Sequence, residues 1–221
     1  MPELYPVAEV RMDSYSVGAE GERVALRTNR RKELIVNDLY MALLADGRVF
    51  CASDADENDR VTGQTSYAAT TPTFLLRVPS GTTAIPLWVS LGATGSVAGG
   101  DISILMSYDR VDRYGSAGTS EAIASMHTGR PVTVGSTLYS GATAAAATDA
   151  RLLFASGELP AVAGAGTATR SDNTIFLAAM KDFFPPYLVG PSAWLIFTWA
   201  ATTGPTYEWS VGWAEIPSTA D

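Results

Sequence analysis

The sequence predicts an all-β fold, an antiparallel β-sandwich with an extended N-terminal arm, and three observations carry that expectation. Residues 73–114 hold three strand-like runs, Thr73 to Pro79, Ala84 to Leu91 and Ile102 onward, parted by Ser80-Gly-Thr-Thr and by the stretch Gly92 to Gly100. In the third run Ile102, Ile104, Met106 and Tyr108 alternate with Ser103, Leu105, Ser107 and Asp109, the period of two of a strand with one buried face. Twenty glycines and twelve prolines punctuate a chain of 221 residues without a long helical pattern, which suits many short strands joined by tight turns.

The middle run repeats the alternation, with Ile85, Leu87, Val89 and Leu91 on one face and Pro86, Trp88 and Ser90 on the other. Pro86 has no amide hydrogen for a ladder, so this strand is expected at an edge or at a bulge. Upstream, Asp46-Gly47 between apolar runs gives a two-residue hairpin signal over Leu39–Ala52, with a short helix over Leu34 to Leu44 as the alternative. Gly63 to Thr71 reads as a strand of low hydrophobicity. Arg113 to Arg130 reads as a surface excursion whose one helix-like piece is Ser120 to His127.

Further strands are expected around Pro131–Tyr139, Arg151–Leu159 and Thr174–Met180. The last segment forms a hairpin: Ala193 to Ala200 is apolar on both faces, Thr202-Thr-Gly-Pro turns, and Thr206–Ile216 returns. On the return Tyr207, Trp209, Val211 and Trp213 share one face. The expected core comprises Ile102, Ile104, Met106, Tyr108, Trp209, Val211 and Trp213, and nine to eleven strands are counted in all.

An apolar fraction of 47% with 17% charged residues marks a globular chain, and a net charge of −8 argues against a general nucleic-acid binder. Residues 1–36 carry six basic side chains against six acidic ones, so the acidic excess lies downstream and the arm is neutral. Its apolar residues, among them Leu4, Tyr5 and Val7, are too scattered for a private core and suit docking against another subunit. Arg30-Arg31-Lys32 reads either as a solvated charge run or as a contact for an acidic neighbour. A secretory signal is not evident at the start, and no apolar run reaches the ~18 residues that span a bilayer.

Cys51 is the single cysteine, so no internal disulfide framework or multi-cysteine metal site is expected, and it reads as a small buried hydrophobe. Nucleophile-elbow, phosphate-loop and metalloprotease motifs are absent, and Gly164-Ala-Gly166 lacks the βαβ context of a dinucleotide loop. His127, the single histidine, reads as a surface or interface residue. Asp109 and Asp112 read as solvated loop acids rather than as a glycosidase pair. Asp54, Asp56 and Asp59 place oxygen ligands near one another as Ca²⁺ prefers, but Asp59 and Thr65 stand where an EF-hand loop needs its glycine and closing glutamate. Trp209 and Trp213 read as core; exposed aromatic rings on a sandwich face would instead suit sugars.

Asn29-Arg-Arg-Lys-Glu-Leu-Ile-Val-Asn-Asp-Leu, Asp46-Gly-Arg-Val-Phe, Thr62-Gly-Gln-Thr-Ser-Tyr and Val78-Pro-Ser-Gly-Thr-Thr-Ala-Ile-Pro-Leu together resemble β-rich virion structural proteins of tailed bacteriophages. The resemblance covers roughly residues 29–114. It implies a jelly-roll cement, decoration or fibre-base subunit, often trimeric, on the head shell, and brings no catalytic residues with it. Only Lys32 and Lys181 are lysines, so the sheet edges lack the usual charged guard, which agrees with an assembled state.

The expectation is therefore an antiparallel β-sandwich of jelly-roll type over 37–221 with an N-terminal arm over 1–36. The function expected is a non-enzymatic virion protein that binds the major capsid protein and forms a homo-oligomer, most simply a trimer, without nucleic acid, membrane or obligatory cofactor. Its assembly contacts would come from Leu4, Tyr5, Val7, Arg30, Arg31 and Lys32, with Ca²⁺ at Asp54, Asp56 and Asp59 as a lesser option. Two rival readings are a receptor- or carbohydrate-binding module of a fibre or tail and a jelly-roll coat protein. The neutral arm weakens the second, because genome-packaging coats generally present a basic one.

Overall fold

The computed structural model describes residues 39–54, 60–94, 102–147, 149–159, 171–177 and 185–218. By contacts the chain divides into two units, Met1–Ala42 and Leu43–Asp221. Of the first, only the beginning of the helix α1, Leu39–Ala45, is described. The second is an antiparallel β-sandwich.

Among the described residues eight strands of five residues or more make its frame: β1 Val49–Ser53, β2 Phe74–Val78, β3 Thr82–Thr94, β4 Ile102–Asp109, β5 Arg151–Leu159, β6 Ser171–Leu177, β7 Ser192–Trp199 and β8 Thr206–Pro217. One sheet runs β6-β3-β8-β1 and continues to Ala124–Ser125; the other runs β5-β4-β7-β2 and continues to Thr137–Ser140 and Thr119–Ser120. The pairs β1·β8, β2·β7, β3·β6 and β4·β5 are all hydrogen-bonded and antiparallel. Successive pairs alternate between the sheets. The four pairs are nested in sequence, with β4·β5 innermost and β1·β8 outermost.

The core is where periodicity places it. Ile102, Ile104 and Met106 are buried, as are Trp209, Val211 and Trp213. Across the sheets Phe74 and Trp209 bring their ring centroids to 4.7 Å. Every residue of β7 but the last is buried, the result of packing on both faces. Its outward Ala193, Leu195 and Phe197 join Leu75, Ala142 and Ala144 in a second apolar cluster, flanked by Leu105, Tyr114, Tyr139 and Trp199. A small ribbon of Tyr114–Ser116 and Thr143–Ala144 contributes to that cluster from outside the sheet.

Five local expectations give way to tertiary context. The Asp46-Gly47 signal ends a helix instead of turning a hairpin. Gly47 N donates to Leu44 O at 3.0 Å and Arg48 N to Leu43 O at 2.9 Å, and Gly47 has φ 72°, the Schellman arrangement at a helix C-terminus. Tyr108 is only half-buried, whereas Ser107 and Asp109 are buried, because the excursion after β4 folds back over the outer face. Ser120 to His127 is not helical: Glu121 N donates to Leu138 O and Met126 N to Val49 O, so the segment is spent on bridging the two sheets. Gly63 to Thr71 is irregular, tied to β7 through Gln64 N and Thr198 O at 2.9 Å. Pro86 lies in a central strand, so its expected edge position is not found.

The bulge expected as the alternative for Pro86 is present. Gly212 pairs with Trp88 and Trp213 with Pro86, leaving Leu87 as the extra residue. On the other side of β3, β6 covers Trp88 to Ala93 and Leu188–Val189 covers Thr83 and Ala84. The proline thus stands where the described outer partners leave a gap, at a place that requires no amide donor.

Candidate functional site

Of the sequence-predicted site residues, Leu4, Tyr5, Val7, Arg30, Arg31, Lys32, Asp56 and Asp59 lie outside the described residues. Asp54 follows β1, half-buried, with its amide donating to Trp209 O at 3.1 Å. Among the described residues no three of His, Cys, Asp and Glu gather as metal ligands would. No described helix is long and apolar enough to cross a membrane.

The acids beside β4 are structural. Asp109 is fully buried and its Oδ2 accepts from Arg113 at 3.2 Å; Arg113, 1% exposed, also donates to Ala145 O at 2.8 Å and Ala69 O at 3.0 Å. The expectation of a solvated Asp109 is therefore overturned. Without the compensating guanidinium such a burial would cost several kcal/mol, on the order of the desolvation of an ion. Asp112 takes Arg77 Nε at 2.7 Å and the Tyr114 amide at 3.0 Å, and it holds the Arg77 guanidinium above its usual pKa. Asp149 bridges Arg110 and Arg151, and the Arg110 hydrogen bond pulls its carboxyl below the usual range. These four arginines and three acids tie the β4–β5 connection to β2, β4 and β5.

Cys51 is half-buried rather than buried, because it sits on the outer face of β1, opposite Gly212, with Sγ 3.7 Å from Ser210 Oγ. His127 is half-buried, its amide donating to Ser125 Oγ at 3.2 Å. Trp194, Trp209 and Trp213 are buried, and Trp88 and Trp199 are half-buried. None of the five tryptophans is exposed. The exposed aromatic rings among the described residues are Tyr67 and Tyr187.

Two surface features remain. The first is a set of apolar side chains, one on the edge strand of one sheet and two beside β3 of the other. Leu152 on β5 is 65% exposed, and Tyr187 and Val189, at the strand Leu188–Val189 beside β3, are 57% and 55% exposed. β5 is the end strand of its sheet and pairs with β4 alone among the described residues.

The second is a hollow of about 160 Å³ at the end of β8, lined by the polar Arg48, Thr82, Thr133 and Glu215 and by the apolar Phe50, Val132, Ile216 and Pro217, with Gly81 and Gly135. Glu215 is 5% exposed. Its Oε1 accepts from Ser136 N at 3.0 Å and from Trp213 Nε1 at 2.9 Å, and its Oε2 from Gly135 N at 2.7 Å. Sequence reading stopped one step short of it. Glu215 is the next position after Trp213 on the face Tyr207, Trp209, Val211, Trp213, and an acid on an otherwise apolar face was the available signal.

Comparison of the chain with protein-family models, with curated protein sequences and with solved structures gives no match.

Proposed function

We propose that this protein is a non-enzymatic structural subunit of a bacteriophage virion, a cement or decoration protein that binds the major capsid protein shell and forms a homo-oligomer, most simply a trimer. The resemblance over residues 29–114 supplies the virion context. We read the four nested pairs β1·β8, β2·β7, β3·β6 and β4·β5 as a jelly roll, a frame that subunits of such shells use. The observation that carries an assembly role is the set of large apolar side chains exposed on the edge strand β5 and beside β3, Leu152, Tyr187 and Val189. Covering their exposed part is worth roughly 25 cal/mol per Å² of apolar surface removed from water, which favours a protein partner over solvent.

Assembly through the neutral arm and these edges involves neither nucleic acid nor a membrane. The test compares the full chain with a chain lacking residues 1–28. The expected result is an unchanged melting temperature, since the strands lie downstream, together with a smaller mass in solution and poorer retention on capsids. Unfolding of the truncated chain would put the arm inside the core instead. Unchanged mass and unchanged retention would remove the assembly role from the arm.

A further inference from the structure

The hollow beside Glu215 has unused hydrogen-bonding capacity of both kinds. A carboxylate has about four acceptor positions, and three are occupied here: two on Oε1 and one on Oε2. The remaining position belongs to Oε2. Nearby, Thr82 Oγ1 lies on the same floor: a Cβ placed on Gly135 would stand 2.6 Å from Thr82 Oγ1 and 3.3 Å from Glu215 Oε2. The glycine thus keeps open a space that a single methyl group would fill.

Arg48 lines the same hollow, yet among the described residues its guanidinium makes no ion pair, with Glu215 or with any other carboxylate. A guanidinium carries five N–H donors, and no ion pair among the described residues engages those of Arg48. At the mouth, Thr133 adds a hydroxyl and Gly81 leaves the space above it empty.

We propose that this hollow is a binding site for a neutral polyol the size of one sugar ring, held by Glu215 Oε2 and Thr82 Oγ1 as acceptors and by the Arg48 guanidinium as donor. The mixed lining selects this class. Glu215 opposes a small anion, one carboxylate is too few for a hard cation, and a wholly apolar guest would leave Glu215 Oε2 and Thr82 Oγ1 without partners at about 1–3 kcal/mol per group, while Phe50, Val132, Ile216 and Pro217 offer apolar surface to the C–H face of a ring. Adjacent hydroxyls on a ring both donate and accept, which matches an acceptor pair facing a donor fork. At about 160 Å³ the hollow suits one ring rather than a chain of them. This site goes beyond the structural role above and stands or falls apart from it.

The experiment is a titration of the isotope-labelled full chain with methyl glycosides of glucose, galactose, mannose and N-acetylglucosamine, followed by amide spectra, with sodium acetate as the ionic control. Saturable shifts at Gly81, Thr133, Gly135 and Ser136 are expected with at least one glycoside. Arg48→Ala and Thr133→Val, both at accessible positions, should each weaken binding about tenfold. Gly135→Ala should abolish it, with melting used to confirm that the chain still folds. The proposal is overturned if no glycoside shifts these amides, if acetate alone does, or if binding survives both Arg48→Ala and Thr133→Val unchanged.

Discussion

The Trp88 indole lies across Gly212 of the neighbouring strand and donates its Nε1 hydrogen to Ser210 Oγ at 3.0 Å. A side chain at 212 would fall within the van der Waals envelope of the six-membered ring, so the glycine is what allows the indole to lie flat. Next to the bulge, this contact covers the outer face where β3 meets β8. Gly212→Ala should force the indole off Ser210 and cost about 1–3 kcal/mol, the usual penalty of overpacking. Gly212→Ala in a Trp88→Ala background should cost less than the two changes summed. Urea unfolding of the two single variants and the double variant checks this, and additive costs would mean that the ring has moved away without strain.

Asp109 and Arg113 form the other decisive pair, and their removal should be asymmetric. Arg113→Met leaves a buried carboxylate and the Ala69 and Ala145 carbonyls short of a donor, so a loss of about 3–5 kcal/mol is expected. Asp109→Leu combined with Arg113→Met should recover part of that loss, because no uncompensated charge then remains. The check is a double-mutant cycle by urea titration, joined to hydrogen exchange at Ala145, whose amide donates to Arg113 O at 2.7 Å. A double variant no more stable than the single Arg113→Met would show that the pair is not the clasp.

How far the sequence foretold this depends on whether a signal was local. Alternation in Ile102 to Met106 and in Tyr207 to Trp213 was legible because one face of each strand meets a single environment. The two-sided burial of β7 was legible too, as an uninterrupted apolar run. Tyr108 and Asp109 were not, since the excursion that follows β4 folds back and buries Asp109 against Arg113, a cover that the alternation within the strand does not register. The Asp46-Gly47 pair has one chemistry and two uses, a hairpin turn or a helix stop, and only the hydrogen bonds to Leu43 and Leu44 distinguish them. Glu215 was missed because two of its three donors come from Gly135 and Ser136, some 80 residues away.

Tyr207 offers a prediction in pH. The side chain is fully buried in the sandwich, and burial pushes the phenol far above its usual range of about 10, with the nearby Thr198 hydroxyl opposing this more weakly. The folded state thus prefers the neutral phenol more strongly than the unfolded chain does. The corresponding stability is complete below about pH 10 and is lost as pH rises through and beyond that value, where only the unfolded chain readily gives up the proton. Tyr207→Phe keeps the ring in its place and removes the titration. At neutral pH the variant should lie within about 1 kcal/mol of the parent, the worth of one hydroxyl contact. Above about pH 10 the parent should lose stability more steeply with pH than the variant, the other tyrosines contributing equally to both. Urea midpoints measured across the alkaline range test this. Parallel slopes for parent and variant would mean that the buried phenol opens to water before it ionises.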